Sequence, residues 1–163
     1  MKRASIILIF FLTIFNCKAQ DAPTEFSKKA LEDTFVSLDG DAVDFRTILK
    51  QHEGKTILID IWASWCRDCI KGMPKLKNLQ KDNPETVFLF LSLDKTEAAW
   101  KKGMERYKLE GEHYYMQSGW KGDFGSFLDL DWIPRYLIVD KDGTIKVFRA
   151  IKADEKKIKE SLN

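Results

Sequence analysis

The chain is poor in soft metal ligands, with three cysteines and two histidines in 163 residues. A zinc site needs three or four protein ligands. Beside the close pair Cys66 and Cys69 there are only Cys17, His52 and His113, and nothing pairs these at ligand spacing, so no metal is expected. Charge of one sign is also lacking. A formal net charge of +2 without a long basic stripe gives no footprint for nucleic acid. Long hydrophobic runs are missing too: the N-terminal apolar run, Ile6 to Phe15, is ten residues, against the roughly 20 of a membrane-spanning helix. No internal repeat or low-complexity segment occurs. Gly119, Gly122 and Gly125 recur at threes, but no Lys-Ser/Thr follows them, which excludes a phosphate loop. No cofactor is expected.

What is present suits one globular domain: 44% hydrophobic and 32% charged residues, with five Trp and eleven Phe for an aromatic core. Residues 1–19 read as a targeting segment, with Met1-Lys2-Arg3 as its basic start and Ile6 to Phe15 as its apolar part. Its end reads two ways. Cys17-Lys18-Ala19 before Gln20 fits ordinary signal peptidase. Ile14-Phe15-Asn16-Cys17 fits a lipobox, which would leave a lipid anchor at Cys17. Either way the rest of the chain holds only Cys66 and Cys69, in a compartment that permits disulfides.

Residues 20–33 are polar and read as an N-terminal arm or tether, with the domain proper at 34–163. Thr34 to Leu38 and the return from Ala42 form a hairpin about Asp39-Gly40. Asp44 caps a short helix, Phe45 to His52. Thr56 to Ala63 and Thr86 to Leu93 are apolar on both faces, as strands covered by helices are. The helix between them carries Met73, Leu76 and Leu79 inward and is bent at Pro74. Asp94 and Thr96 are expected to cap the next helix, about Glu97 to Leu109. A short extended segment at His113 to Met116 follows, then a loop with a short helix in 118–131. Arg135 to Asp140 and Thr144 to Ala150 form a hairpin, and a helix starts at Asp154.

The chemistry concentrates in Cys66-Arg67-Asp68-Cys69, where a strand turns into a helix. Residues i and i+3 share a helix face, so the two sulfurs can bond with little backbone movement. Cys66 at the helix start faces unpaired N–H groups and the positive end of the dipole, which lowers a thiol pKa. Other readings of the pair are half of a zinc site or a structural staple, although a staple gains little from closing so short a loop. Asp60, six before Cys66 in the apolar strand, is either a strand-end carboxylate that reaches water or a buried proton acceptor for Cys69. Pro134 follows Ile133. X–Pro bonds are mostly trans, so spacing alone makes it an ordinary loop residue.

These residues resemble the extracytoplasmic thiol–disulfide oxidoreductases of the TlpA/ResA kind, which have the thioredoxin fold. The likeness lies in Trp62 to Cys69, in Asp60, in Pro74, in Ile133-Pro134 and in Leu137 to Gly143, and it spans roughly residues 34–162. It implies a three-layer α/β/α sandwich on a mixed central sheet with an N-terminal β-hairpin addition. It also implies a cis bond before Pro134 lying against a Cys66–Cys69 disulfide, Asp60 as the family's buried acid, and Trp65, Arg67, Asp68, Ile133 and Pro134 around the partner. The family's partners are disulfide-containing proteins, apocytochrome c among them, and a membrane thiol carrier as reductant. Three positions depart from the pattern: no proline stands between the cysteines, Gly72 replaces a common Glu, and Arg135 replaces a small residue. Two other classes stay open. One is a thiol peroxidase of the peroxiredoxin group, although Ser64 is too close to Cys66 for its motif. The other is a non-catalytic binding module that uses Trp120 to Phe127.

Overall fold

The computed structural model describes residues 22–162, so the expectations for the leader and for Cys17 fall outside the described residues. At its centre is strand β3 (Ile57–Trp62), all six residues of which are buried. Helix α3 (Arg67–Asp82) leads from it to β4 (Val87–Ser92), parallel to β3 in register Ile59↔Leu89 and Asp60↔Phe90. Helix α4 (Glu97–Tyr107) leads on to β5 (Glu112–Tyr115), parallel to β4. The N-terminal hairpin is β1 (Thr34–Val36) and β2 (Ala42–Asp44), and the later one is β6 (Arg135–Val139) and β7 (Ile145–Ala150). The seven strands run in the order β2-β1-β5-β4-β3-β6-β7. The segment expected only to be extended is therefore a full strand. It joins the added hairpin to the sheet through Val36↔Tyr115.

The two crossovers β3-α3-β4 and β4-α4-β5 step the same way across the sheet. Right-handed connections then place α3 and α4 on one face. The side chains agree. Trp62 reaches α4, where a Cβ on Gly103 would stand 3.3 Å from its ring, and Tyr136 reaches α3 at Gly72. Helix α6 (Lys156–Leu162) lies on β6 and β7, and Asp154 just before it pairs with Lys75 of α3. The other face carries α2 (Phe45–Gln51), α5 (Asp123–Phe127) and a short α1 (Lys28–Glu32) around Phe35, Phe45 and Phe124, three fully buried rings in mutual contact.

The stretch read as an arm is, over its described residues, part of this packing. Thr24 accepts a hydrogen bond from the Ile145 N–H at the edge of the sheet. Phe26 packs edge-on against Phe45 and tilted against Phe127, with ring centroids 4.9 and 5.5 Å away, and Ala30 is fully buried. The Asp33 carboxylate accepts from Ser118 Oγ and from the Phe124 N–H, each at 2.8 Å. A polar composition concealed three anchors, because one aromatic ring, one small residue and one carboxylate suffice to hold twelve residues down.

Candidate redox site

The site forms where β3 stops and α3 starts. Cys66 is the N-cap of α3, with extended backbone, and its Sγ accepts from the Cys69 N–H at 3.1 Å. A 16-residue helix thus presents its unpaired amides and dipole to this sulfur. Cys66 and Cys69 are joined by a disulfide, with Cα atoms 5.3 Å apart, and both are buried. Pro74 sits one and a half turns on, within the helix. The Ile133–Pro134 bond is cis, and the Ile133 carbonyl lies 3.6 Å from Cys66 Sγ. In the disulfide this is a contact only; on reduction the Cys66 S–H would be a donor aimed at that oxygen.

Around this core the expected residues divide. Trp65 and Trp132 are 54% and 58% exposed, an apolar rim beside the disulfide. Arg67 and Asp68 are exposed on the first turn, and Asp68 lies 3.6 Å from Lys71, so part of its charge is spent away from Cys66. Gly72, Trp132, Pro134, Tyr136, Ile151 and Asp154 border a groove of about 470 Å³ that opens beside the disulfide. Arg135, where a small residue was expected, turns inward and is only 7% exposed. Its guanidinium donates to Asp131 at 2.6 Å and to the Pro134 carbonyl at 3.4 Å. Arg149 joins Asp131 at 3.3 Å and Asp129 at 3.2 Å. The hydrogen bond from Arg135 holds the Asp131 carboxyl below the usual range, with the nearby positive charges adding to it.

Asp60 is almost wholly enclosed. It is 4% exposed, and its Oδ1 has no hydrogen-bond partner among the described residues. Burial alone pushes its carboxyl well above the usual carboxylate range. Its cross-strand neighbour is Tyr136, whose hydroxyl reaches Gly72, so both side chains stand on the face that carries α3.

One residue was given a different task. Asp94 does not cap α4; Thr96 does, through its hydroxyl to the Ala99 N–H. Asp94 instead clamps the turn before Cys66. It accepts from the Ser64 N–H at 3.1 Å, from Ser64 Oγ at 2.6 Å and from Ser92 Oγ at 2.9 Å. Gly103 lets α4 close on this turn, since a Cβ there would stand 2.5 Å from that of Ser64. An acid just past an apolar strand was the available signal, but its partner lies thirty residues upstream. In the sequence Tyr136 carries only the signal of a strand residue.

Comparison with known proteins fits this geometry. The thioredoxin-like family model matches residues 54–145, which include the disulfide and cis-proline. The thiol-disulfide oxidoreductase ResA of Bacillus cereus is 26% identical over 141 residues, covering 85% of this chain and 76% of its own. A thiol:disulfide interchange protein from Bacteroides sp. superposes with a TM-score of 0.57 at 28% identity, over 76% of this chain and 78% of that one. A secreted Mycobacterium tuberculosis disulfide oxidoreductase homologous to Escherichia coli DsbE shares the fold, with a TM-score of 0.61 at 20% identity over 83% and 96% of the two chains. With its redox cysteines at the head of α3 and this fold around them, the chain belongs to the thioredoxin-like family and is a thiol–disulfide oxidoreductase of the ResA/DsbE type, with Cys66 and Cys69 as its CxxC pair.

Proposed function

We propose that this protein works outside the cytoplasm and reduces disulfides in partner proteins, apocytochrome c among them, and that a membrane thiol carrier returns its electrons. The observation that carries the reading is the disulfide at the head of α3 with a buried carboxyl, Asp60, on the same face of the sheet. In the reduced protein the Cys66 thiolate, favoured by the Cys69 N–H and the helix dipole, attacks one sulfur of a partner disulfide. A Cys66–partner bond forms and the other partner sulfur leaves as thiolate. Cys69 gives its proton to Asp60, and its sulfur attacks Cys66. The second partner sulfur departs, and the protein is left oxidised, two electrons poorer.

Burial suits Asp60 to this task. A carboxyl pushed upward by burial accepts a thiol proton more readily than an ordinary carboxylate does. Proline at 134 offers no N–H, which leaves the neighbouring backbone of Ile133 to pair with the partner, between Trp65 and Trp132. The support given to Cys66 favours this direction. One backbone N–H donates to it beside the helix dipole, and the charges of Arg67 and Asp68 in the same turn offset each other, so the thiolate has no strong added support. A strong oxidant needs the opposite. Export rests on the composition of residues 1–19 and on a relative described as secreted; retention of Cys17 would add a lipid anchor. Equilibration of the domain with dithiothreitol or glutathione tests the direction. A reduction potential near that of thioredoxin, about −270 mV, is expected, and one near −120 mV would make the protein an oxidant and overturn the reading.

A further inference from the structure

Asp60 is enclosed, yet a proton acceptor must exchange its proton with solvent between cycles. Its nearest route is set by the register. Tyr136 lies directly opposite Asp60 across the β3–β6 ladder. Directly opposed residues hold their Cβ atoms about 5 Å apart on one face of the sheet. The tyrosine side chain is longer than that of aspartate and passes over it toward α3. There its hydroxyl stands 3.2 Å from where a Cβ of Gly72 would be, one turn beyond Cys69. Gly72 and Tyr136 both border the groove beside Pro134. The tyrosine thus runs from a position opposite a buried carboxyl with an unpaired oxygen to the edge of the groove.

We propose that Tyr136 is a positioning residue for the second thiol step. Its hydroxyl, seated over Gly72, holds a water that hydrogen-bonds the Asp60 carboxylate and links it to the groove. This deepens the reduction cycle proposed above and rests on it. A bridging water needs two to four polar partners, and Asp60 Oδ1, the Tyr136 hydroxyl and groove water supply them. When Asp60 has taken the Cys69 proton, that proton passes to the bridging water, whose own proton moves to the tyrosine oxygen as the tyrosine proton enters the groove. The net change is one proton from Asp60 to solvent, with Tyr136 unchanged. Gly72 is what leaves the hydroxyl its seat. A Cβ at that position would press on the hydroxyl from 3.2 Å, tighter than ordinary contact.

The charges that face this site are Asp68, Lys71 and Lys75 on α3, Arg135 on β6, and Lys152 and Asp154 beyond β7. The acids are each ion-paired, Asp68 with Lys71 and Asp154 with Lys75 at 2.6 Å, and Arg135 is held by Asp131. These pairings leave Asp60 as the carboxyl at this site with an oxygen unpartnered among the described residues.

The test uses reduced protein with 5,5′-dithiobis(2-nitrobenzoate). Attack by Cys66 releases one coloured thiolate, and attack of Cys69 on the mixed disulfide releases the second, so one trace times both steps. In Tyr136→Phe the ratio of second to first rate is expected to fall about tenfold at pH 7 and to recover about one pH unit higher, because the carboxylate has lost its solvating partner. In an Asp60→Asn background the same tyrosine change is expected to add nothing. A Tyr136→Phe profile that overlays the wild type overturns the proposal, as does an equal slowing with and without Asp60, which would mark a purely structural tyrosine. If the wild type itself shows no second release, the reduction cycle fails instead.

Discussion

Asp60 sits in a strand buried at every residue, with its Oδ1 unpaired among the described residues and apolar neighbours along the strand. Its carboxyl is raised by burial, so the folded state holds this proton where the unfolded chain has released it. The sign follows: its contribution to stability is whole below the ordinary carboxylate value near 3.8 and is lost as pH rises through the folded value. At neutral pH the group opposes folding. Asp60→Asn, which keeps the shape and has no charge to desolvate, is therefore expected to stabilise the oxidised protein at pH 8. The gain should shrink toward pH 4. The same change should slow the Cys69 step roughly 100-fold, the lower range for loss of a general base. Urea denaturation at pH 4, 6 and 8 checks the first part. Equal stabilities at pH 8 would mean that Asp60 has a partner or ready access to water.

At the scale of the element, the reactive turn is held from outside its own helix. Asp94 gathers three donors from β3's end and β4's end, and Gly103 admits α4 to the same spot. Asp94→Ala leaves the Ser64 N–H and two hydroxyls unpaired near the core and is expected to cost about 2–3 kcal/mol. Hydrogen exchange gives the sharper readout: the Ser64 to Cys66 amides should lose protection while the middle of α3 keeps it. Uniform loss along α3 would deny the clamp its local role. This clamp also marks where sequence reading stops. The apolar strands, the Asp44 and Thr96 caps, the inward stripe of α3 and the cysteine pair at its head are local patterns with local causes, and each is legible. So is the buried position of Asp60, once the strand is known to be covered on both faces. The pairing of Asp94 with Ser64, of Asp131 with Arg135 across a cis-proline, and the seating of Tyr136 over Gly72 depend on how separate elements approach, which no local pattern encodes.

For the whole molecule, one continuous sheet ties these local groups to a common stability, and two of them pull against each other with pH. His113 in β5 lies against Phe90, ring centroids 4.7 Å apart and nearly parallel, and its Nδ1 has no partner among the described residues. Burial lowers its pKa from 6.5 to about 4, against a smaller opposing effect of the Leu109 carbonyl at 3.3 Å from Nε2. The unfolded chain thus takes up this proton first as pH falls. The contribution of His113 is whole above about 6.5 and is lost through the window down to about 4, by about 3 kcal/mol in all. Asp60 gains stability over the same descent, so the wild-type slope understates the histidine. The surface carboxylates Asp44, Asp142 and Asp154, each held low by hydrogen bonds, begin to matter only below that window and are too exposed to weigh much. In the Asp60→Asn background the opposing group is gone. Unfolding free energy should then fall by about 3 kcal/mol between pH 6.5 and 4, and adding His113→Phe, which keeps a ring against Phe90, should flatten that fall. If the slope survives the histidine's removal, the acid sensitivity of this window lies in another group, with His52, whose pKa burial also lowers, the first to replace.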